Sequence, residues 1–251
     1  MSPPCTQPVD YAANLKAVET RIETALRRSG RLGGSVRVVA VSKTMPPSAI
    51  AQAYAAGMAC FGENRPQELA SKQDAPECKG LQAEWHLVGH LQTNKVKLVV
   101  GRAALIHSLD RVELAAELQR RAEPLDIRVD ALLEVNVARE ASKHGFGIEE
   151  VETAAAYISA FPNVRILGLM TVAPLAPDPE DIRWVFAELK KKFLDIDKKR
   201  IDNVEMVFLS MGMSQDFEVA IEEGANMVRI GTALFGGREL GAVSTNDETT
   251  G

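Results

Sequence analysis

Cysteine is scarce in this chain. Cys5, Cys60 and Cys78 are the only three among 251 residues, and no two form a C-x-x-C pair. A disulfide framework or a zinc ribbon needs more than that, so the sequence reads as one from a reducing compartment. Cys60 lies in an apolar stretch and is expected to be a small core residue. Aromatics are few, at 5%, which leaves Ala, Val, Leu and Ile to fill the core. Positive charge has no surplus: 29 basic residues face 34 acidic ones, for a net charge of −5. No field is present to draw in a nucleic-acid backbone or an anionic membrane, although a local anion site is allowed. No apolar run approaches the ~18–20 residues of a membrane span. The first ten residues lack a basic segment followed by an apolar one, so no secretory signal is expected. These absences predict a cytoplasmic chain, with organelle import left open, and neither nucleic acid nor membrane among its partners.

The remaining composition is that of a globular protein, 46% hydrophobic and 25% charged. A chain of this length buries roughly 70–75% of its unfolded surface and needs no covalent staple. Residues 10–29 have the spacing of an amphipathic helix, with Asp10 as N-cap, Leu15, Val18, Ile22, Ala25 and Leu26 on one face, and Gly30 as the stop. Strand candidates then centre on Val39, Cys60, Leu87, Leu105, Leu133, Leu167, Phe208 and Val228. Helical stretches follow at 47–56, 66–72, 92–100, 110–122, 148–160, 180–194 and 215–223, with a short piece from Thr232. Strict β-then-α alternation implies parallel pairing through helical crossovers. Eight repeats without a long linker predict a single-domain α/β fold, a (β/α)8 barrel of TIM type with an extra N-terminal helix. A doubly wound open sheet is the alternative. The domain is expected over 1–240, with a flexible tail over 241–251.

In such a barrel the functional side chains gather where the strands end. Lys43 follows the first strand directly. A lysine there is partly desolvated, which lowers its pKa and makes the amine nucleophilic, as a Schiff-base lysine requires; it can also simply snorkel out of the barrel mouth. After the seventh strand comes Ser210-Met211-Gly212-Met213-Ser214, and after the eighth Arg229-Ile230-Gly231-Thr232. Barrels frequently bind phosphate with these two loops and a short extra helix. Backbone N–H groups of Gly231 and Thr232, helped by the hydroxyls, would hold the anion. A phosphate cradle opposite a strand-end lysine suggests a phosphorylated aldehyde, of which pyridoxal 5′-phosphate (PLP) is the common one.

Other constellations are weaker. His86 and His90 have H-x3-H spacing, but they lie on a strand without a ligand cluster, so no metal is expected. Ser214 and Asp216 lack a nucleophile elbow. The runs Lys190–Lys192 and Lys198–Arg200 read as a solvated face. The polar loop 139–145 would let Lys143 reach the barrel mouth.

Seven ordered blocks carry a resemblance: Val41-Ser42-Lys43-Thr44, Phe61-Gly62-Glu63-Asn64, Trp85 to Gln92, Ser142-Lys143-His144-Gly145, Gly168-Leu169-Met170-Thr171, Leu209 to Ser214 and Val228 to Thr232. From about Val38 to Gly236 the chain closely resembles the pyridoxal-phosphate homeostasis protein family. The resemblance implies a barrel like the N-terminal domain of alanine racemase, with PLP held as a Schiff base on Lys43. It places Ser210, Ser214, Gly231 and Thr232 at the phosphate, Arg229 at the pyridine nitrogen, and Asn64 and Met211 in the pocket wall. Arg229 could instead cap its strand or pair with Glu222 or Glu223. Where the family often has an aromatic-aliphatic pair after Gly-Glu-Asn, this chain has Arg65-Pro66, and Pro66 suits a first helical turn. The implied role is a non-catalytic carrier or regulator in intracellular PLP homeostasis, a monomer with apo PLP-dependent enzymes as candidate partners. The alternative is an amino-acid racemase, which needs acid and base groups on both faces of the substrate. The three tyrosines, Tyr11, Tyr54 and Tyr157, all fall in predicted helices. A phosphosugar enzyme with an aldolase-like Lys43 is the third reading.

Overall fold

The computed structural model describes residues 9–236. Cys5 and the expected tail at 241–251 lie outside them. Helix α1, Tyr11–Arg28, starts where Asp10 accepts the Ala13 N–H at 2.9 Å, and it buries Val18, Ile22, Ala25 and Leu26. It ends ahead of Gly30, as the sequence predicts.

Nine strands follow among the described residues, all paired in parallel. They are β1 (Arg37–Val41), β2 (Cys60–Glu63), β3 (Glu84–Leu87), β4 (Leu105–Leu109), β5 (Val129–Asn136), β6 (Phe146–Gly147), β7 (Val164–Met170), β8 (Val204–Ser210) and β9 (Met227–Ile230). Eight of them form a ring in which each predicted strand pairs with its neighbours: β1 holds both β2 and β9, and β4 pairs with β5 to close it. The open-sheet alternative is excluded by that closure, and the fold is a single-domain TIM-type barrel. The ninth strand, β6, is two residues paired onto the end of β5, Val135 with Phe146 and Asn136 with Gly147. It folds the loop 137–145 back on itself.

The crossovers are α2 (Pro47–Ala55), α3 (Pro66–Asp74), α4 (Val112–Ala122), α5 (Val151–Ile158), α6 (Arg183–Lys198) and α7 (Phe217–Glu222), and α8 (Thr232–Phe235) follows the last strand. Pro66 opens α3, where its missing N–H costs nothing. Between β3 and β4 the predicted helical stretch is a 3-10 turn, Thr93–Leu98. Successive strand residues point to opposite faces. One face, with Val39, Cys60, Leu105, Leu132, Leu167, Met170 and Met227, fills the barrel. The other packs under the helices, with Phe61, Leu87, Ile106, Leu109 and Leu133 among the largest contributors. Cys60 and Cys78 are buried free thiols. Burial pushes the Cys60 thiol up to about 12, which leaves it an inert core group. No helix among the described residues is long and apolar enough to cross a membrane.

Candidate functional site

At the C-terminal ends of the strands lies a cavity of about 710 Å³. Seven of the eight barrel strands contribute to it: Lys43 after β1, Asn64 after β2, Val88 to His90 after β3, Glu134 and Asn136 on β5, the segment after β7, Met213 to Asp216 after β8, and Arg229 with Gly231 to Ala233 at β9. Lys143 and His144 reach the wall from the loop that β6 closes.

Lys43 is half-buried and sits in a tightly held turn. Ser42 before it is fully buried, and Thr44 after it adopts φ +67°, a left-handed conformation that costs a non-glycine residue ~1 kcal/mol or more. The compensation comes from α3. The Glu68 carboxylate accepts the Thr44 N–H at 2.6 Å. Lys72, 4% exposed, donates to the Ser42 carbonyl at 2.7 Å and to Glu63 and Glu68 at 2.8 Å each. The Ser42 hydroxyl donates to Glu63 at 2.6 Å. Three ammonium protons thus meet three acceptors, and the backbone is held on both sides of Lys43. Burial raises the Glu63 carboxyl against the lowering effect of Lys72 and Ser42, and its second oxygen has no partner among the described residues.

Arg229 forms part of the cavity wall and is otherwise buried. Its guanidinium donates to the Ser210 carbonyl at 2.9 Å, the Ser210 hydroxyl at 2.7 Å and the Thr171 carbonyl at 2.8 Å. Glu222 and Glu223 pair with Arg183 instead, so the surface ion pair considered for Arg229 does not form. Burial brings Arg229 down to about 10, with Asp216 and Glu134 opposing, and it remains a cation at neutral pH. Glu134 is raised to about 7, first by burial and then by Asp110.

The β8 and β9 loops meet beside these groups. Gly212, at φ +93°, lets the chain pass so close to α7 that a Cβ would stand 2.8 Å from the Phe217 Cα. The Asp216 carboxylate accepts the Met213 N–H at 2.6 Å and shapes the turn. The Ser214 hydroxyl faces the Ala233 N–H at 3.5 Å. The first-turn N–H groups of α8 have no acceptor within that helix. At Gly231 the nearest neighbour of an added Cβ, the Val41 carbonyl oxygen, stands at 3.4 Å, an ordinary contact.

Of the eight residues predicted for the site, Lys43, Asn64, Ser214, Arg229, Gly231 and Thr232 line the cavity. Ser210 and Met211 do not. Ser210 lies beneath the floor, fully buried against Arg229 and His107. Met211 is one residue further along and points to the opposite face, into the layer under the helices, so its placement in the wall is corrected. The sequence reading also missed groups. Glu134 looked like one polar interruption of an apolar strand, and period-2 alternation toward the barrel interior is the signal that could have found it. His90 and His144 stack at 3.9 Å on the rim, and His90 meets the buried Asp110 at 2.9 Å. None of the three tyrosines lines the cavity; they lie in α1, α2 and α5.

The family model described as alanine racemase, N-terminal domain, matches residues 13–239. Among curated proteins, the pyridoxal phosphate homeostasis protein of Aquifex aeolicus is 48% identical over 90% of this chain and 97% of its own length. The protein of the same name from Escherichia coli is 39% identical over 92% of this chain and 97% of its own length. Among solved structures, PipY of Synechococcus elongatus with PLP bound superposes with a TM-score of 0.76 at 33% identity, covering 90% of this chain and all of that one. Alanine racemase from Corynebacterium glutamicum, at 16% identity and a TM-score of 0.64 over 91% of this chain and 63% of its own, shares the fold.

Proposed function

From the premise that the chain belongs to the pyridoxal phosphate homeostasis family, built on the alanine racemase N-terminal barrel, we propose that it binds pyridoxal 5′-phosphate at its barrel mouth and serves PLP homeostasis as a binding protein. One observation carries this reading: a strand-end lysine, a buried arginine without an ion-pair partner among the described residues, and a Ser-Gly-Thr turn all line a single cavity. When bound, PLP supplies an aldehyde that condenses with a lysine amine and a ring that can act as an electron sink.

Each part of the wall has a task in that reading. Lys43 presents its amine from a turn that cannot swing. The first-turn N–H groups at Thr232 and Ala233, with the Ser214 hydroxyl, bind the phosphate, and Gly231 lets it come close. Arg229 donates toward the pyridine nitrogen and, being always charged, disfavours a proton there. Asn64 orients the ring edge. Val172, Pro174 and Ile182 form an apolar side that limits water. We assign no catalytic residue. The further reading is a cytoplasmic monomer that supplies PLP to apo enzymes.

Loading the purified protein with PLP, reducing with borohydride and mapping peptides tests the assignment. The pyridoxyl group is expected on Lys43. Its appearance mainly on Lys143 would overturn the role of Lys43. Rapid racemisation of alanine or serine by a clean preparation would overturn the carrier role.

A further inference from the structure

A line of polar side chains runs through the barrel interior below Arg229. Arg229 Nη1 donates to Ser210 Oγ at 2.7 Å. Ser210 Oγ stands 3.0 Å from His107 Nδ1, and His107 Nε2 stands 2.9 Å from His86 Nδ1. His86 Nε2 stands 3.0 Å from Glu84 Oε1, which also takes the Arg37 guanidinium at 2.8 Å. Ser210, His107 and His86 have no exposure, whereas Glu84 opens to solvent at the far end of the barrel. Five side chains from four strands therefore connect the cavity floor to the opposite face.

The two ends set the direction. A guanidinium can only donate. Arg37 and His86 lower the Glu84 carboxyl, His86 most, so it is ionised and can only accept. Ser210 accepts from Arg229 and has one proton to give, and His107 Nδ1 is the acceptor in reach. His107 then carries its proton on Nε2 and gives it to His86 Nδ1, and His86 gives its own from Nε2 to Glu84. Other arrangements fail. A proton on His86 Nδ1 alone would turn a lone pair toward the Glu84 carboxylate. A doubly protonated His86 would drive the His107 proton onto Nδ1, leave the Ser210 hydroxyl proton without an acceptor among the described residues, and bury a second cation. Burial first, and the charge of Arg229 with it, hold His107 well below the ordinary imidazole range.

We propose that this column is a positioning device, in which His86 and His107 each carry one proton, on Nε2, and every hydrogen bond points from Arg229 to Glu84. The protons of Ser210, His107 and His86 are all committed downward, so none of these three is available to the cavity. Arg229 is held by Ser210 and Thr171 as a pure donor toward whatever faces it. On the proposed function, which this inference rests on, that group is the pyridine nitrogen. His107, Ser210 and His86 act through Arg229 and do not touch the ligand.

Two measurements test the column. Nitrogen-15 spectra of the histidine rings at neutral pH are expected to show both buried imidazoles as Nε2–H tautomers. An Nδ1–H tautomer or an imidazolium at either position overturns the direction, and this reading needs no variant. The second compares PLP with its deaza analogue, in which the ring nitrogen is replaced by C–H. The unmodified protein is expected to favour PLP by about tenfold, equivalent to ~1.4 kcal/mol. His107→Phe should reduce that preference to about threefold or less, because Arg229 loses its fixed partner. An unchanged preference overturns the positioning role. Equal affinity of the unmodified protein for both compounds would instead remove the ring-nitrogen contact from the proposed function, and with it the purpose assigned to the column.

Discussion

Lys72 is the residue whose burial most needs a reason. Its ammonium is spent on the Ser42 carbonyl and two carboxylates, all of them under the turn that presents Lys43. Removing one partner of a buried pair leaves the other charge uncompensated, at a cost of ~3–5 kcal/mol. Lys72→Met is expected to lower stability by that order in urea unfolding. It should also slow covalent trapping of PLP on Lys43, because Thr44 is no longer held in its left-handed conformation. Adding Thr44→Gly, which adopts that conformation without strain, should restore part of the trapping rate. Glu134 gives a different signal. Its folded value of about 7 lies above the ordinary 4.5, so the folded state keeps a proton that the unfolded state has lost between those values. Stability contributed by this group is therefore present at low pH and declines as pH rises toward 7. Glu134→Gln should change stability little at about pH 4.5 and raise it above about pH 7.5, read as the difference between two urea titrations.

At the level of elements, periodicity carried most of the information. All eight predicted strand centres fall inside observed barrel strands, because parallel strands buried on both faces read as short apolar runs. Helix starts were legible where a specific residue sets them, as at Asp10 and Pro66. The same reading could not anticipate β6, since a two-residue pairing has no period. Nor could it find the clamp under Lys43, since Glu63, Glu68 and Lys72 look like ordinary helix and loop charges until β2 and α3 are placed beside β1. His107 was equally hidden, being one of two adjacent polar residues inside an apolar strand. The bulge in β7 is another feature that periodicity does not carry. The register against β5 and β8 shifts around Gly168, where an added Cβ would stand 1.9 Å from the Phe208 carbonyl oxygen at φ +141°. Gly168→Ala should therefore cost ~2–4 kcal/mol in a denaturant titration; a loss below ~0.5 kcal/mol would mean the strands can part freely there.

For the whole molecule, the pairing of β6 onto β5 has a mechanical meaning. The segment 137–145 leaves the end of β5 and returns as β6 to pair with that same end, and the Asn136 side chain ties in the Glu140 backbone as well. It is a closed hoop of fixed circumference, and Lys143 and His144 ride on it. The neighbouring stretch of rim, after β7, is built otherwise. Residues 172–177 after β7 have no backbone hydrogen bonds to the rest of the barrel among the described contacts, and Leu175 is 85% exposed. A mouth with one latched side and one unlatched side admits traffic by the unlatched one. Amide exchange should therefore be fast at 172–177 and slower at 143–147, and ligand loading should protect the first segment more than the second. If the hoop exchanges as fast as the open rim, the latch does not hold, and passage through the mouth is governed from both sides.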